Sequence, residues 1–432
     1  MSLKKPLASV FGIRKSSAAV TMGPLFSRRQ MGPFALRMAG VAAALLTNLI
    51  VAKELTLDQI AYYYVYATLA YVGNAGLYVG LDVVLQRLCA SLASSQTMQK
   101  PYFLRYIAVS LLAGTIMVTL LSAAYLFARG GETNPWYIAL ICAALSGATY
   151  LSAVGRDLLA LSRRLTLAAM FALIEQLLRL SFVGLAIVYI RSGAIEVTAA
   201  SALATIVSGV TAIAVLLLCT GSSKSLVRAT ASDIAHTVAP IGFSGLMNWL
   251  QLQSYRPALL YFGIQPDVIG IASLLTTLGM AGANPIFTVT AQSYIPRFYA
   301  GELRTFRECT VAIIRLALLL ALAAIPVAMV FLVLSGRQAL LIYVLLVSLG
   351  VFVEAGNNVI GAFMHRRNAT GGSMWVLAAS GSVGVLIVVA SWSIPASHAM
   401  FPYLIGLGMC VSQIAVIGTI YALSIKKWKI QP

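Results

Sequence analysis

Runs of about 20 predominantly apolar residues, each long enough to cross roughly 30 Å of hydrocarbon, recur along the whole chain. They start near Phe34, Ile60, Leu104, Trp136, Thr166, Val197, Val238, Val268, Val311, Leu340, Met374 and Tyr403. Of the 432 residues, 60% are hydrophobic and only 10% charged, against about 25% charged in a soluble domain. Water cannot solvate such a chain, so lipid must. Inside hydrocarbon every backbone N–H and C=O needs a partner, and only helices and closed barrels supply one throughout. Runs of this length predict helices, and the chain reads as an all-α polytopic membrane protein with about 12 transmembrane helices.

Charge distribution fixes the expected topology, because Lys and Arg collect in cytoplasmic loops. With the N-terminus placed in the cytoplasm, 23 basic residues fall on that side and four (Lys53, Arg129, Arg191 and Arg337) on the other. Arg179, Arg256 and Arg315 remain inside spans. One span more or fewer would scramble this alternation, so both termini are expected in the cytoplasm. The net charge of +18 then reflects topology. No basic stretch outside the spans carries interleaved aromatics, so nucleic acid is not an expected partner; the lipid bilayer is. The chain divides into a basic cytoplasmic arm at 1–33, six spans in 34–220, a cytoplasmic linker at 221–236, six spans in 237–425 and a basic tail at 426–432. Arg163–Arg164 after span four and Arg366–Arg367 after span ten occupy equivalent places. They mark either an internal repeat or the ordinary gathering of arginines in cytoplasmic loops.

The five cysteines are far apart and lack CxxC spacing, and the three histidines are isolated. Neither a metal site nor a nucleophile–base pair is indicated. No cofactor is expected, and no ATP-binding motif is present.

Charges inside spans carry the functional reading, since an arginine at the centre of a lipid-facing helix costs about 2.5–3.5 kcal/mol. In Ala172–Gly184, "ALIEQLLRLSFVG", Glu175 and Arg179 stand at i and i+4 and can pair on one helix face. That face is expected to line a watery cavity or to fix helix packing. Span seven, "FSGLMNWLQLQSYRP", places Ser244, Asn248, Gln251 and Tyr255 on one polar stripe with Arg256 at its edge, flanked by Pro240 and Pro257, which are expected to bend it. Arg256 and Arg315 either face the cavity or snorkel to the nearer surface. Glu354 in span ten shares a face with Asn357 and Asn358 and has no arginine in its own span. It is a candidate ion-coupling group or one end of an interhelical hydrogen bond. Tyr62, Tyr63, Tyr64 and Tyr66 at the outer start of span two read as an interfacial aromatic belt.

Two stretches resemble one family. Lys53–Leu88 contains an acidic loop, an aromatic-rich span and the turn Gly80-Leu81-Asp82 followed by Arg87; Val238–Phe298 places Arg256 before a short outer loop and Gly270 at the opening of span eight. They look like the polysaccharide-transporter branch of the multidrug/oligosaccharidyl-lipid/polysaccharide exporter (MOP) superfamily, which includes O-antigen and exopolysaccharide repeat-unit flippases. Ala61 and Tyr255 depart from the family pattern, where a glycine and an acidic residue are common. The resemblance implies two six-helix lobes around a central cavity in the bacterial cytoplasmic (inner) membrane. It implies alternating access, and a polyprenyl-diphosphate-linked oligosaccharide as substrate. Arg179, Arg256 and Arg315 are the implied diphosphate contacts, and Asn248 and Gln251 the implied sugar contacts. Glu175 and Glu354 are candidates for ion pairing or coupling. Polysaccharide polymerase and assembly proteins are implied partners. A drug or other small-molecule exporter of the same superfamily is the alternative. A membrane glycan polymerase is a further one, although its usual large outer loop is missing from the sequence.

Overall fold

The computed structural model describes residues 28–89, 92, 96–131, 134–190, 193–222, 231–299, 303–367 and 400–428. The arm up to residue 27 and the expected span starting near Met374 lie outside them. The chain begins with α1 (Arg28–Glu54) and α2 (Leu57–Gly73), and a π-helical turn, Asn74–Tyr78, joins α2 to α3 (Val79–Leu88). Next come α4 (Lys100–Arg129), α5 (Pro135–Leu161), α6 (Leu165–Ile190) and α7 (Ala194–Cys219). Beyond the linker follow α8 (Ala231–Leu252), the short α9 (Tyr255–Tyr261), α10 (Pro266–Tyr299), α11 (Leu303–Leu334), α12 (Leu345–Arg367) and α13 (Phe401–Trp428). Among the described residues nine helical segments are long and apolar enough to cross a membrane. Large apolar side chains such as Leu318, Leu319 and Leu322 stand exposed along their outer faces. The protein is an all-α polytopic membrane protein.

Local chemistry sets the helix ends. Thr56 and Gln59 form a capping box at the start of α2: Gln59 N–H donates to Thr56 Oγ1 at 3.3 Å and Thr56 N–H to Gln59 Oε1 at 3.1 Å. The Asn134 side chain accepts from Tyr137 N–H at the start of α5, where Pro135 occupies the first helical position. The Arg164 guanidinium donates to the Cys219 carbonyl at the end of α7 (3.2 Å).

Span seven departs from a single bent helix. The chain runs helically through Pro240 and breaks between Leu252 and Tyr255. Pro257 has no N–H for the Gln253 carbonyl four residues earlier, and Arg256 N–H takes that carbonyl instead, at 3.3 Å. The tighter turn swings α9 out of line with α8 and turns the Arg256 side chain inward.

Within the first half of the chain α1 packs on α6, and α5 on α4 and α7; in the second, α12 packs on α10, α11 and α13. The second span joins the halves: α2 lies against α10, and the π turn and α3 lie against α8. There the backbones nearly touch. A Cβ on Gly242 or Gly245 of α8 would stand 2.0 Å from the Gly76 or Ala75 carbonyl oxygen of the π turn. Only glycine permits that approach.

Candidate functional site

Between the halves lies a polar cavity of about 510 Å³. Its walls come from α1, α5 and α6 on one side and from Asn284 and Pro285 of α10 on the other, and its polar lining is Arg37, Arg156, Asp157, Gln176 and Asn284. Arg37, Gly40, Val41 and Ala44 stand at i, i+3, i+4 and i+7, so α1 offers a smooth wall of small residues with a guanidinium at one end. The cavity sits toward the helix ends that the charge rule assigns to the cytoplasm.

Behind this wall, Glu175 of α6 is only 5% exposed. It accepts from Arg179 Nη2 at 3.3 Å, the spacing expected within one helix, and more closely from Arg156 Nη1 of α5 at 2.8 Å. Ser152 Oγ donates to the same carboxylate at 2.5 Å, and Arg179 Nη2 also reaches Thr205 Oγ1 of α7 at 3.0 Å. One buried carboxylate thus holds two guanidiniums, each about a quarter exposed. By the charge rule Arg37 and Arg156 count among the 23 basic residues on the cytoplasmic side. The structure puts both within helices at the cavity wall, and the only local trace is that Ser152 and Arg156 share a face at i and i+4. Asp157, beside Arg156, lies near Asp82 of α3, which accepts from Gln86 Nε2 at 2.7 Å.

On the other side, Glu354 of α12 is 3% exposed. Its Oε1 accepts from Asn284 Nδ2 of α10 at 2.7 Å and from Asn358 Nδ2 at 2.8 Å. Asn248 Nδ2 of α8 donates to Asn357 Oδ1 at 3.5 Å, so the asparagines expected on separate spans form one polar seam. The Gln251 and Ser244 side chains lie outside the described residues.

Arg256 and Arg315 are not in this cavity. Arg256 is 5% exposed and donates to Tyr255, Ser273, Thr68 and Thr277 hydroxyls at 3.0–3.1 Å and to the Gln253 carbonyl oxygen of its side chain. The rings of Tyr64 and Tyr255 flank it at 5.1 and 5.2 Å. Its donors are committed to protein acceptors, and it ties α9 to α2 and α10. Arg315 is exposed on α11, on the face that carries Leu318 and Leu319, where it can snorkel. The tyrosine-belt reading of span two is also corrected. Tyr64 and Tyr66 are buried, at 5% and 3% exposure: α2 packs on both halves of the chain, and Tyr64 lies against Arg256 of the second.

The ends of the halves that the charge rule assigns to the outer face are closed on each other. Gly270 of α10 lies against α2 so closely that a Cβ would stand 2.4 Å from the Leu57 carbonyl oxygen. Tyr125 Oη of α4 donates to the Pro257 carbonyl at 2.9 Å. Arg337 donates to the Ala52 carbonyl at 2.8 Å and to that of Leu55.

No protein-family profile and no curated protein matches the sequence, but solved structures match the fold. An inward-facing multidrug-resistance MATE-family transporter of the MOP superfamily superposes with a TM-score of 0.60 at 14% identity, over 90% of this chain and 99% of that one. An outward-facing one gives 0.55 at 13% identity, over 93% and 95%. A mutant of a Vibrio cholerae MATE transporter gives 0.54 at 13% identity, over 92% and 95%. At these identities the likeness is one of fold: the chain is built on the MATE-transporter fold, the architecture of the superfamily that its second and seventh spans resemble.

Proposed function

We propose that this protein is an alternating-access transporter. Its cargo is polyprenyl-diphosphate-linked oligosaccharide repeat units, moved from the cytoplasmic to the outer leaflet of a bacterial inner membrane for O-antigen or exopolysaccharide biosynthesis. The observation that carries the reading is the cavity lining, which sets two arginines, Arg37 and Arg156, against one aspartate, Asp157. A diphosphate brings negative charge into a low-dielectric site, where paired guanidinium contacts are favoured. Glu175 keeps Arg156 and Arg179 oriented while the cavity is empty. An arriving diphosphate competes with Glu175 for Arg156 first, and for Arg179 when the pair opens. Gln176 and Asn284 supply amides for sugar hydroxyls.

The lipid tail also has room. An apolar groove of about 510 Å³ runs between α1, α10, α11 and α12, lined by residues such as Leu45, Leu49, Gly282 and Phe331. It borders the same two helices, α1 and α10, that wall the polar cavity. Head group and tail can therefore lie on opposite flanks of α1.

Drug export is the second reading. It is favoured by Asp157 in the cavity and by the multidrug-resistance descriptions of the fold neighbours. One assay separates the two. Proteoliposomes are loaded either with a fluorescent polyprenyl-diphosphate oligosaccharide, read by protection from an added reductant, or with an organic cation dye. We expect the lipid-linked sugar to flip, Arg156→Ala to abolish flipping, and Arg156→Lys to keep part of it because charge survives without the bidentate fork. Dye transport with no flipping of the lipid would overturn the proposal.

A further inference from the structure

The side chain of Asn284 touches both parts of the site. It is exposed to the polar cavity, where it is the one polar lining residue from the second half of the chain among the described residues. It also donates to the buried Glu354 carboxylate at 2.7 Å. From these two contacts we infer that Asn284 is a relay. When a cavity ligand takes its amide as a hydrogen-bond donor, Glu354 loses that donor and takes up a proton from water in exchange.

The inference rests on the anion-transport reading for the identity of the ligand, but the link itself stands on geometry alone. An ionised carboxylate only accepts hydrogen bonds, and a buried one is stabilised by each donor aimed at it. Glu354 has no cation against it among the described residues. Its hydrogen bonds come from the amides of Asn284 and Asn358. Asn358 lies one turn along the same helix, so it moves with Glu354. Asn284 belongs to α10 and is the donor that a ligand can reach. The ionisable groups on the packed elements are few. Tyr71 of α2 lies near Glu354; α10 carries Asp267 in its first turn, α11 carries the exposed Arg307, Glu308 and Arg315 and the buried Cys309, and α13 carries Cys410. The two carboxylates among them, Asp267 and Glu308, stand near helix starts and neither is buried as Glu354 is.

The balance is simple. One N–H···O bond from Asn284 to Glu354 breaks, one from Asn284 to a phosphate or sugar oxygen forms, and one proton passes from water to Glu354. Ligand binding and proton binding therefore favour each other, and by linkage the effect is reciprocal.

Infrared titration of the full-length protein in lipid nanodiscs tests this. The Glu354 component of the protonated-carboxyl band is the one that Glu354→Gln removes. In Asn284→Ala that component should persist to a pH about one unit higher than in wild type, from the loss of one hydrogen bond to a charged group. Inorganic pyrophosphate should move the wild-type midpoint in the same direction and leave that of Asn284→Ala in place. An unchanged midpoint in Asn284→Ala, or an equal pyrophosphate shift in both proteins, would overturn the relay. If pyrophosphate binds neither protein, measured separately by calorimetry, the anion reading fails, and the ligand-free comparison still decides whether Asn284 controls Glu354.

Discussion

Removing the Arg337 guanidinium should open the outer end of the protein. Two carbonyls at the end of α1 lack their helical donors for a traceable reason. The α2 capping box diverts Thr56 N–H to Gln59 and Gln59 N–H to Thr56, and these are the amides that would otherwise have served Ala52 and Leu55. Arg337 fills both vacancies from the far side of the molecule. A hydrogen bond to a charged group contributes about 1.5–3 kcal/mol when buried. Arg337 is only half-buried, so about 1 kcal/mol per bond is a fair value, and the pair contributes about 2 kcal/mol. With every other outer contact intact, Arg337→Ala should raise the ratio of outward-open to closed molecules about 30-fold, enough to take a state at about 1% to about a quarter of the population. Spin labels at the exposed Trp136 and Phe262 positions, on a cysteine-free background, would report the separation of the outer ends by pulsed dipolar spectroscopy. A new long-distance population is expected in Arg337→Ala and a smaller one in Arg337→Lys, which keeps the charge but offers a single point of contact. A distance distribution identical to wild type would show that the two bonds do not hold the outer ends together.

Two other substitutions probe the first half of the chain. Glu175→Gln removes the carboxylate shared by Arg156 and Arg179; because both arginines keep partial access to water, the cost in stability should be about 1–2 kcal/mol rather than that of a fully buried pair. The freed Arg156 should bind inorganic pyrophosphate more tightly, and weaker binding by calorimetry would show that Glu175 does not compete with an anion for it. Arg163 stands at φ +64° after α5, in the left-handed region where glycine is at ease, and Arg164 N–H closes back on the Leu159 carbonyl at 2.9 Å. Arg163→Gly should raise stability by about 0.5–1 kcal/mol, seen as a higher thermal midpoint in detergent. A lower midpoint would mean that the arginine side chain contributes more than the strain removes.

The helices were legible because hydrocarbon leaves the backbone no alternative. Eleven of the twelve expected starts fall on described helical segments, and the Glu175–Arg179 contact follows from helical spacing. The cavity was less legible. The positive-inside rule counts an arginine by its place along the chain, and it cannot tell a loop arginine from one in the last turns of a helix that face a cavity. Arg37 and Arg156 were lost to that ambiguity. The tyrosines of α2 were misread for a related reason: a run of aromatics near a span end looks the same whether it meets lipid head groups or a neighbouring helix.

What the sequence did carry about contacts between helices came from side chains that their own span could not satisfy. Glu354 has no cation within reach on α12, and its outside donor proves to be Asn284, 70 residues away on α10. Arg256 has no carboxylate near it in sequence, and its acceptors are gathered from α2, α9 and α10. In both cases a polar group left unmatched within one helix costs too much to face lipid, so the imbalance itself points to a junction between helices. Arg315 shows where that reasoning ends. It too is unmatched in its span, yet it stands on the exposed face of α11, where a long side chain can carry its charge to interfacial water. An unmatched carboxylate on a short side chain is therefore the stronger signal. Glu354 cannot snorkel as Arg315 can, and it must be met where it stands.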